Sequence, residues 1–153
     1  MAPVDVITEV EIARPRADVA AYAADPDNAT AWYENIEHAE WRSEPPLREG
    51  SRIALVARFL GGTLAYTYEI AELVPGERLV MRTAEGPFPM ETTYTWEDAP
   101  DGTRMTLRNR GEPRGFAKVG APLLVAAMRR ANRKDLERLK ALLEATGAPS
   151  RPA

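Results

Sequence analysis

The side chains best placed for chemistry are hydroxyls that recur at every second residue of two predicted strands. Tyr66 and Tyr68 are spaced in this way, as are Thr92 and Tyr94. Alternate residues of a strand point to the same side of a sheet. The hydroxyls therefore share an inner face with Trp41, Phe59, Met81, Met90, Trp96 and Met105. A mostly apolar surface with a few polar groups is typical of a pocket for a small hydrophobic ligand. The alternative is a solid core in which the hydroxyls reach the rim or a backbone carbonyl.

A long helix is predicted for residues 121 to 143, because apolar side chains that include Leu124 and Met128 fall in one sector of it. Asn132 lies near the middle of that sector, and a buried amide without a hydrogen bond costs about 1 to 3 kcal/mol. Asn132 therefore either holds a carbonyl or hydroxyl of a ligand, or bonds to a tyrosine hydroxyl or a trapped water. Asp135 lies nearer the edge of the sector with Arg138 three residues later, so we predict a surface ion pair there.

Candidates for a catalytic acid, base or nucleophile are few. His38 is the one histidine, but the strand alternation that turns Ala39 and Trp41 inward turns His38 outward. The chain has no Cys, which excludes a thiol nucleophile and thiolate metal ligands. We therefore name no catalytic residue and expect neither a metal nor a cofactor. Trp32 and Tyr33 are interpreted as anchors that hold a pair of short helices on the sheet, with a place at the rim of an entrance as the alternative.

Length and charge limit the class of protein. A chain of 153 residues is most simply one domain, to which we assign residues 1–146, with residues 147–153 as a flexible tail. The sequence has no apolar run of about 18 residues and no secretory signal pattern, so we expect a cytoplasmic protein without stable membrane insertion. The formal net charge of -3, with acidic residues interleaved among the basic ones, argues against a nucleic-acid partner.

Alternating patterns and turn residues predict the remaining elements. A strand over residues 4 to 12 is followed by two short helices, and then by six strands that end near residue 109. The pair Gly61 and Gly62 is predicted to supply a two-residue hairpin turn between two of these strands. Short turns imply an antiparallel meander. The predicted fold class is α+β, with the long helix covering the inner face of the sheet.

Four stretches carry a resemblance to a known family, namely ARPRADVAAYAADPDNATAWY after the first strand, YEIAELVPGERLVMRT, YTWEDAPDGTRMTLR and DLERLKALLE. In this order they resemble the START-like superfamily, which is also called SRPBCC, helix-grip or Bet v 1-like. Within it they resemble the bacterial polyketide cyclase/dehydrase-like branch. The resemblance extends from Val4 to Glu144. It implies a curved seven-stranded antiparallel sheet, with two short helices after the first strand. It also implies a long C-terminal helix across the concave face, and a cavity between that helix and the sheet.

The expected function is binding of a small hydrophobic molecule in that cavity, without catalysis. A polyketide, a lipid or another aromatic or acyl compound would fit this description. The expected ligand-binding residues are Phe59, Tyr66, Tyr68, Met81, Met90, Thr92, Tyr94, Met105, Leu124, Met128 and Asn132.

Two alternatives stay open at this point. One is a cyclase or dehydratase that positions a polyketide-like substrate by tyrosine and asparagine hydrogen bonds. The other is a protein-interaction module, similar to the co-chaperone activators and the quinone-binding respiratory partners of the same superfamily. The sequence allows a monomer or a homodimer.

Overall fold

The computed structural model describes residues 4–59, 61–86, 89–112 and 121–147, and at residues 59, 121, 146 and 147 it describes the backbone only. Its strands are β1 (Val4–Ile12), β2 (Ile36–Trp41), β3 (Arg52–Phe59), β4 (Gly62–Val74), β5 (Arg78–Glu85), β6 (Met90–Ala99) and β7 (Gly102–Gly111). Its helices are α1 (Arg16–Ala24), α2 (Ala29–Trp32) and α3 (Ala121–Gly147), with a 3-10 turn at Pro26–Asn28 before α2. The predicted element order is confirmed.

The seven strands form one antiparallel, curved sheet in the order β1-β7-β6-β5-β4-β3-β2. Strands β2 to β7 are a meander, as their short turns predict, and β1 pairs with β7 from Val4 opposite Gly111 to Ile12 opposite Thr103. The α+β helix-grip architecture is therefore confirmed. The structure differs at the β3–β4 hairpin, where Phe59 pairs with Gly62. Gly62, predicted as part of the turn, is therefore the first residue of β4, and Gly61 before it takes the positive φ of 79°.

The outer face of the sheet carries paired charges. Arg82 and Arg110 both donate to the Glu91 carboxylate, at 2.7 and 2.5 Å, and Arg108 donates to Asp5 at 2.6 Å. Exposed ion pairs of this kind contribute little stability individually. Their main effect is on which face of the sheet is exposed. Because the charged residues are on the outer face, the alternate, apolar residues face α3.

Helix α3 packs on the concave face through a buried stripe that includes Leu124, Leu136 and Leu139. Its C-terminal half is fastened to the end of β1. There Lys140 donates to the Glu11 carbonyl (2.8 Å) and Glu144 accepts the Ala13 N–H (2.9 Å). The helix continues through Gly147, so the first residue of the predicted tail is helical, and the rest of that tail lies outside the described residues. No described helix combines the length and apolar character needed to cross a membrane.

Gly102 provides a test of this architecture at the junction of β1 and β7. Its φ is 155°, and a Cβ there would stand 2.1 Å from the Ile12 carbonyl oxygen. Gly50 also has a positive φ, 91°, but a Cβ there meets nothing within 4 Å. We expect Gly50→Ala to lower the free energy of unfolding by about 1 to 2 kcal/mol. Gly102→Ala should lower it by more than about 4 kcal/mol, because the backbone must move as well. Denaturant titration measures both, and equal losses would contradict the close approach.

Candidate functional site

A cavity of about 180 Å³ lies between α3 and the inner faces of β3 to β6. Its wall is mostly apolar, and Ile53, Leu55 and Ala57 of β3 form one side. The predicted residues that line it are Tyr66, Tyr68, Met81, Met90, Thr92, Tyr94, Leu124, Met128 and Asn132. The structure therefore brings these nine side chains around one space. The volume is close to the roughly 150 Å³ of an engineered apolar cavity that takes up benzene.

Met105 does not line the cavity, contrary to the prediction that it contacts the ligand. Its side chain is fully buried in a core cluster with Trp96, Leu136 and Leu139. Met105 pairs with Val10 across β1 and with Trp96 across β6, so it faces the end of the sheet that α1 and the second half of α3 cover. Phe59, the remaining predicted ligand-binding residue, has a side chain that lies outside the described residues.

Two hydrogen-bonded groups of hydroxyls stand in the wall. The hydroxyls of Tyr33 and Tyr94 are bonded to each other. In the second group, Thr92 of β6 donates to the side-chain oxygen of Asn109 of β7 at 2.6 Å, and its hydroxyl oxygen lies 2.6 Å from the hydroxyl of Tyr68 of β4. Because the single proton of Thr92 is used toward Asn109, Tyr68 is the donor to Thr92. These bonds satisfy polar groups that are buried or half-buried in the wall.

The tyrosines of the cavity remain protonated at neutral pH. Burial raises the pKa of Tyr68 to about 12, although its bond to Thr92 opposes the shift. Burial also raises the pKa of Tyr33, Tyr66 and Tyr94, and the nearby Asp135 carboxylate adds to the rise for all three. A protonated phenol donates a hydrogen bond but does not accept a proton. These hydroxyls can therefore orient a ligand and cannot act as bases at neutral pH.

Asp135 is buried in the cavity wall, so the predicted surface ion pair with Arg138 is wrong. Its side chain is 3% exposed, and Oδ1 accepts the Glu34 N–H at 3.0 Å. Arg138 instead donates to the Ala31 carbonyl of α2 at 2.5 Å. The physical reason is that α2 and the turn after it cover the edge of α3 that periodicity alone leaves exposed. An inward carboxyl group is thus present where sequence patterning indicated none.

The Asp135 carboxyl is the group of the cavity that changes charge near neutrality. Burial raises its pKa to about 7, and the bond from the Glu34 N–H and the charge of Arg138 only partly offset this. The Glu34 carboxylate adds to the rise. A buried carboxyl with a pKa near 7 can act as an acid or a base at physiological pH, and such groups cluster at functional sites.

Asn132 faces the cavity one turn before Asp135 on the same side of α3. Its side chain is 6% exposed, and the amide nitrogen is buried without a hydrogen-bond partner among the described residues. The predicted inward orientation is confirmed. The described part of the chain supplies no tyrosine hydroxyl as the partner of that nitrogen, which removes one of the two structural roles considered for it.

Two other expectations concern His38 and the pair Trp32 and Tyr33 at the C-terminal end of α2. His38 is exposed on the outer side of β2, as the alternation predicts. Trp32 is fully buried, with its ring 4.2 Å from that of Tyr33 and 5.7 Å from that of Tyr94, so it anchors α2 as interpreted. Tyr33 itself lines the cavity, which is nearer to the alternative place at a rim than to a purely structural anchor.

A family model described as polyketide cyclase / dehydrase and lipid transport matches residues 3–144. The chain belongs to this family. Its members share the superfamily that the four sequence stretches indicated, so that resemblance is confirmed. The comparison with curated proteins found no match.

Several solved structures share this fold with the chain. Zhui aromatase/cyclase from Streptomyces sp. R1128 is 17% identical with a TM-score of 0.81, over 99% of this chain and 100% of that one. TTHA0849 from Thermus thermophilus is 22% identical with a TM-score of 0.81, over 94% and 99%. A START superfamily protein from Mycobacterium smegmatis is 16% identical with a TM-score of 0.70, over 96% and 99%. At these identities the likeness shows the shared fold, and family membership with that fold indicates binding of a hydrophobic ligand or cyclase-like chemistry.

The raised pKa of Asp135 predicts a pH dependence of stability. Folding disfavours the ionised carboxyl, so stability is lost as pH rises from the unfolded pKa near 3.8 to the folded pKa of about 7. Asp135→Asn keeps an oxygen for the Glu34 N–H and removes the charge. We expect the variant to match the native chain near pH 4 and to exceed its free energy of unfolding by on the order of 2 to 4 kcal/mol at pH 8. Denaturant titrations at both pH values measure this, and parallel pH profiles would contradict it.

Proposed function

We propose that this family member binds a small hydrophobic or aromatic molecule in the cavity between the sheet and α3, as a non-catalytic binding or carrier module. The observation that supports the proposal most directly is the cavity itself, whose apolar wall carries a few hydrogen-bonded hydroxyls. Such a wall favours an apolar body and orients it through a small number of polar contacts.

The volume favours a small ligand. Drug-sized ligands occupy pockets of about 300 to 1,000 Å³, and the cavity here measures about 180 Å³. One or two fused rings, or a short acyl chain, fit this space, whereas a long polyketide chain requires the wall to move. Several expectations stay predictions. These are that the lining residues contact the ligand, that the protein is cytoplasmic, that it is a monomer or a homodimer, and that it has no nucleic-acid partner.

A matched pair of variants on β3 tests the binding proposal. Ala57 is buried and lines the cavity, while Ala54 lies on the opposite face of the same strand. We expect Ala57→Leu to fill part of the cavity and to weaken binding of a naphthalene-based fluorescent probe by about tenfold or more. Ala54→Leu should leave the probe affinity within about twofold. If the native chain bound no probe, or if the two variants bound it equally, the cavity would not be the binding site.

A second candidate function is that of a cyclase or dehydratase, and Asp135 is the observation that favours it. Cyclisation and dehydration of polyketide-like compounds begin with removal of a proton next to a carbonyl, which needs a base near its working pH. Asp135 offers such a base, with a pKa of about 7, and the Tyr66 hydroxyl and the Asn132 amide in the same cavity can donate hydrogen bonds to the carbonyl oxygen. The protein-interaction module receives no comparable support. The large hydrophobic residues exposed in the described part are Ile7 and Leu123, which lie on different elements.

Hydrogen exchange in a small ketone separates catalyst from carrier. We expect a catalyst to accelerate the exchange of the α-hydrogens of 2-tetralone for deuterium, and Asp135→Asn to lower that rate by about 10² to 10⁴. Probe affinity should change less than about threefold. Proton NMR in heavy water follows the exchange. A native chain that does not exceed the buffer rate would refute the enzymatic candidate and leave the carrier proposal intact.

A further inference from the structure

The amide nitrogen of Asn132 is a buried hydrogen-bond donor in the cavity wall that has no partner among the described residues. Tyr68, Thr92 and Tyr94 are each bonded to another side chain. Asp135 accepts the Glu34 N–H. Of the buried side-chain atoms without a partner in the described ranges, the Asn132 nitrogen is the one on a residue that lines this cavity.

An unpaired buried amide lowers stability unless a ligand supplies its partner. The terminal torsion of Asn is broad and roughly two-fold, so the amide group can turn its N–H2 toward a bound molecule at little cost. The nitrogen is a donor only, and its complement is an acceptor oxygen. A carbonyl oxygen on an apolar ring system meets this requirement and fits the surrounding apolar wall.

The charges around the cavity exclude a negatively charged ligand. Asp135 places a carboxyl group one turn from Asn132, and it carries a negative charge once ionised. Arg58 is the one cationic residue among the described residues that line the cavity. Its side chain is exposed at the margin and donates to the Glu37 carboxylate at 2.6 Å. A buried carboxylate on the ligand would therefore lie near a like charge without a free cation to pair with it.

We propose that Asn132 is the specificity-determining residue of the cavity and that it selects an uncharged aromatic ligand with a carbonyl oxygen. The ligand class is an aromatic ketone, aldehyde or quinone of one or two rings. The inference rests on the proposed binding function and adds to it the polar group that the ligand must carry.

Three probes of matched size and different polarity test the inference. Indane has no oxygen, 1-indanone has one carbonyl, and indane-1-carboxylate is an anion at neutral pH. Their dissociation constants for the full chain are measured by isothermal titration calorimetry or by competition with a fluorescent probe. The decisive quantity is the selectivity, defined as the dissociation constant of indane divided by that of 1-indanone. Because this ratio compares two ligands on the same protein, a change in affinity that affects both ligands equally cancels.

Asn132→Leu removes the amide and keeps a side chain of similar size. Leu136→Met is the control, because Leu136 is buried one turn later on α3 and does not line the cavity. We expect Asn132→Leu to lower the selectivity by about tenfold. Leu136→Met should leave it within about twofold. Indane should bind Asn132→Leu at least as well as it binds the native chain, which also shows that the variant is folded. Indane-1-carboxylate should not saturate the native chain at concentrations that 1-indanone requires.

A second readout follows the amide directly. The side-chain N–H2 signals of Asn132 should shift in 15N-correlated NMR spectra on addition of 1-indanone and should shift much less with indane. Unchanged selectivity in Asn132→Leu, or equal shifts with both probes, would overturn the role of Asn132 while the binding function stood. Tight binding of the carboxylate would overturn the proposed ligand class. Failure of both neutral probes to bind the native chain would refute the binding function and this inference with it.

Discussion

The hydrogen bond from the Glu34 N–H to the Asp135 carboxyl joins α3 to the turn that follows α2, and the cavity wall is built around it. Next to this bond, Arg138 donates from α3 to the Ala31 carbonyl of α2. A long helix laid across a concave sheet leaves its flanks open to water, and these two contacts close one flank. The closure buries a carboxyl group, and burial is what moves its pKa to about 7. The structure thus obtains one covered flank of the cavity and a titratable group from the same contacts.

Pairing of polar groups decides what the cavity can do. Tyr33 with Tyr94, and Tyr68 with Thr92, satisfy one another and hold the sheet side of the wall in a fixed arrangement. Hydrogen bonds of this kind help to hold the wall in one arrangement. Asn132, on the helix side, has a buried amide nitrogen without a partner among the described residues. A ligand therefore meets a preformed sheet surface and one amide that gains a hydrogen bond when the ligand arrives.

Sequence periodicity predicted which side chains face inward from the sheet. It did not predict which of them line the cavity, or which edge of α3 another element covers. Alternation placed Tyr66, Tyr68, Thr92 and Tyr94 on the inner face, because a period of two follows directly from strand geometry. It also placed Met105 there, correctly for the face but not for the cavity, since alternation does not tell how far along the sheet a residue lies. The error for Asp135 has a related cause, because its position at the edge of the apolar sector says nothing about whether α2 covers that edge. Tertiary contacts between separate elements supply this information, and no local pattern contains it.

The choice between carrier and catalyst depends in this chain on one group. The fold is shared with an aromatase/cyclase and with a START superfamily protein, so the fold alone does not determine function. The tyrosines keep their protons at neutral pH because burial raises their pKa values, so they can hydrogen-bond to a bound molecule but cannot take a proton from it. Asp135 alone among the described cavity residues combines burial, an inward position and a pKa near 7. A bound carbonyl compound whose α-carbon lies beside that carboxyl is a substrate, and one whose α-carbon lies elsewhere is cargo.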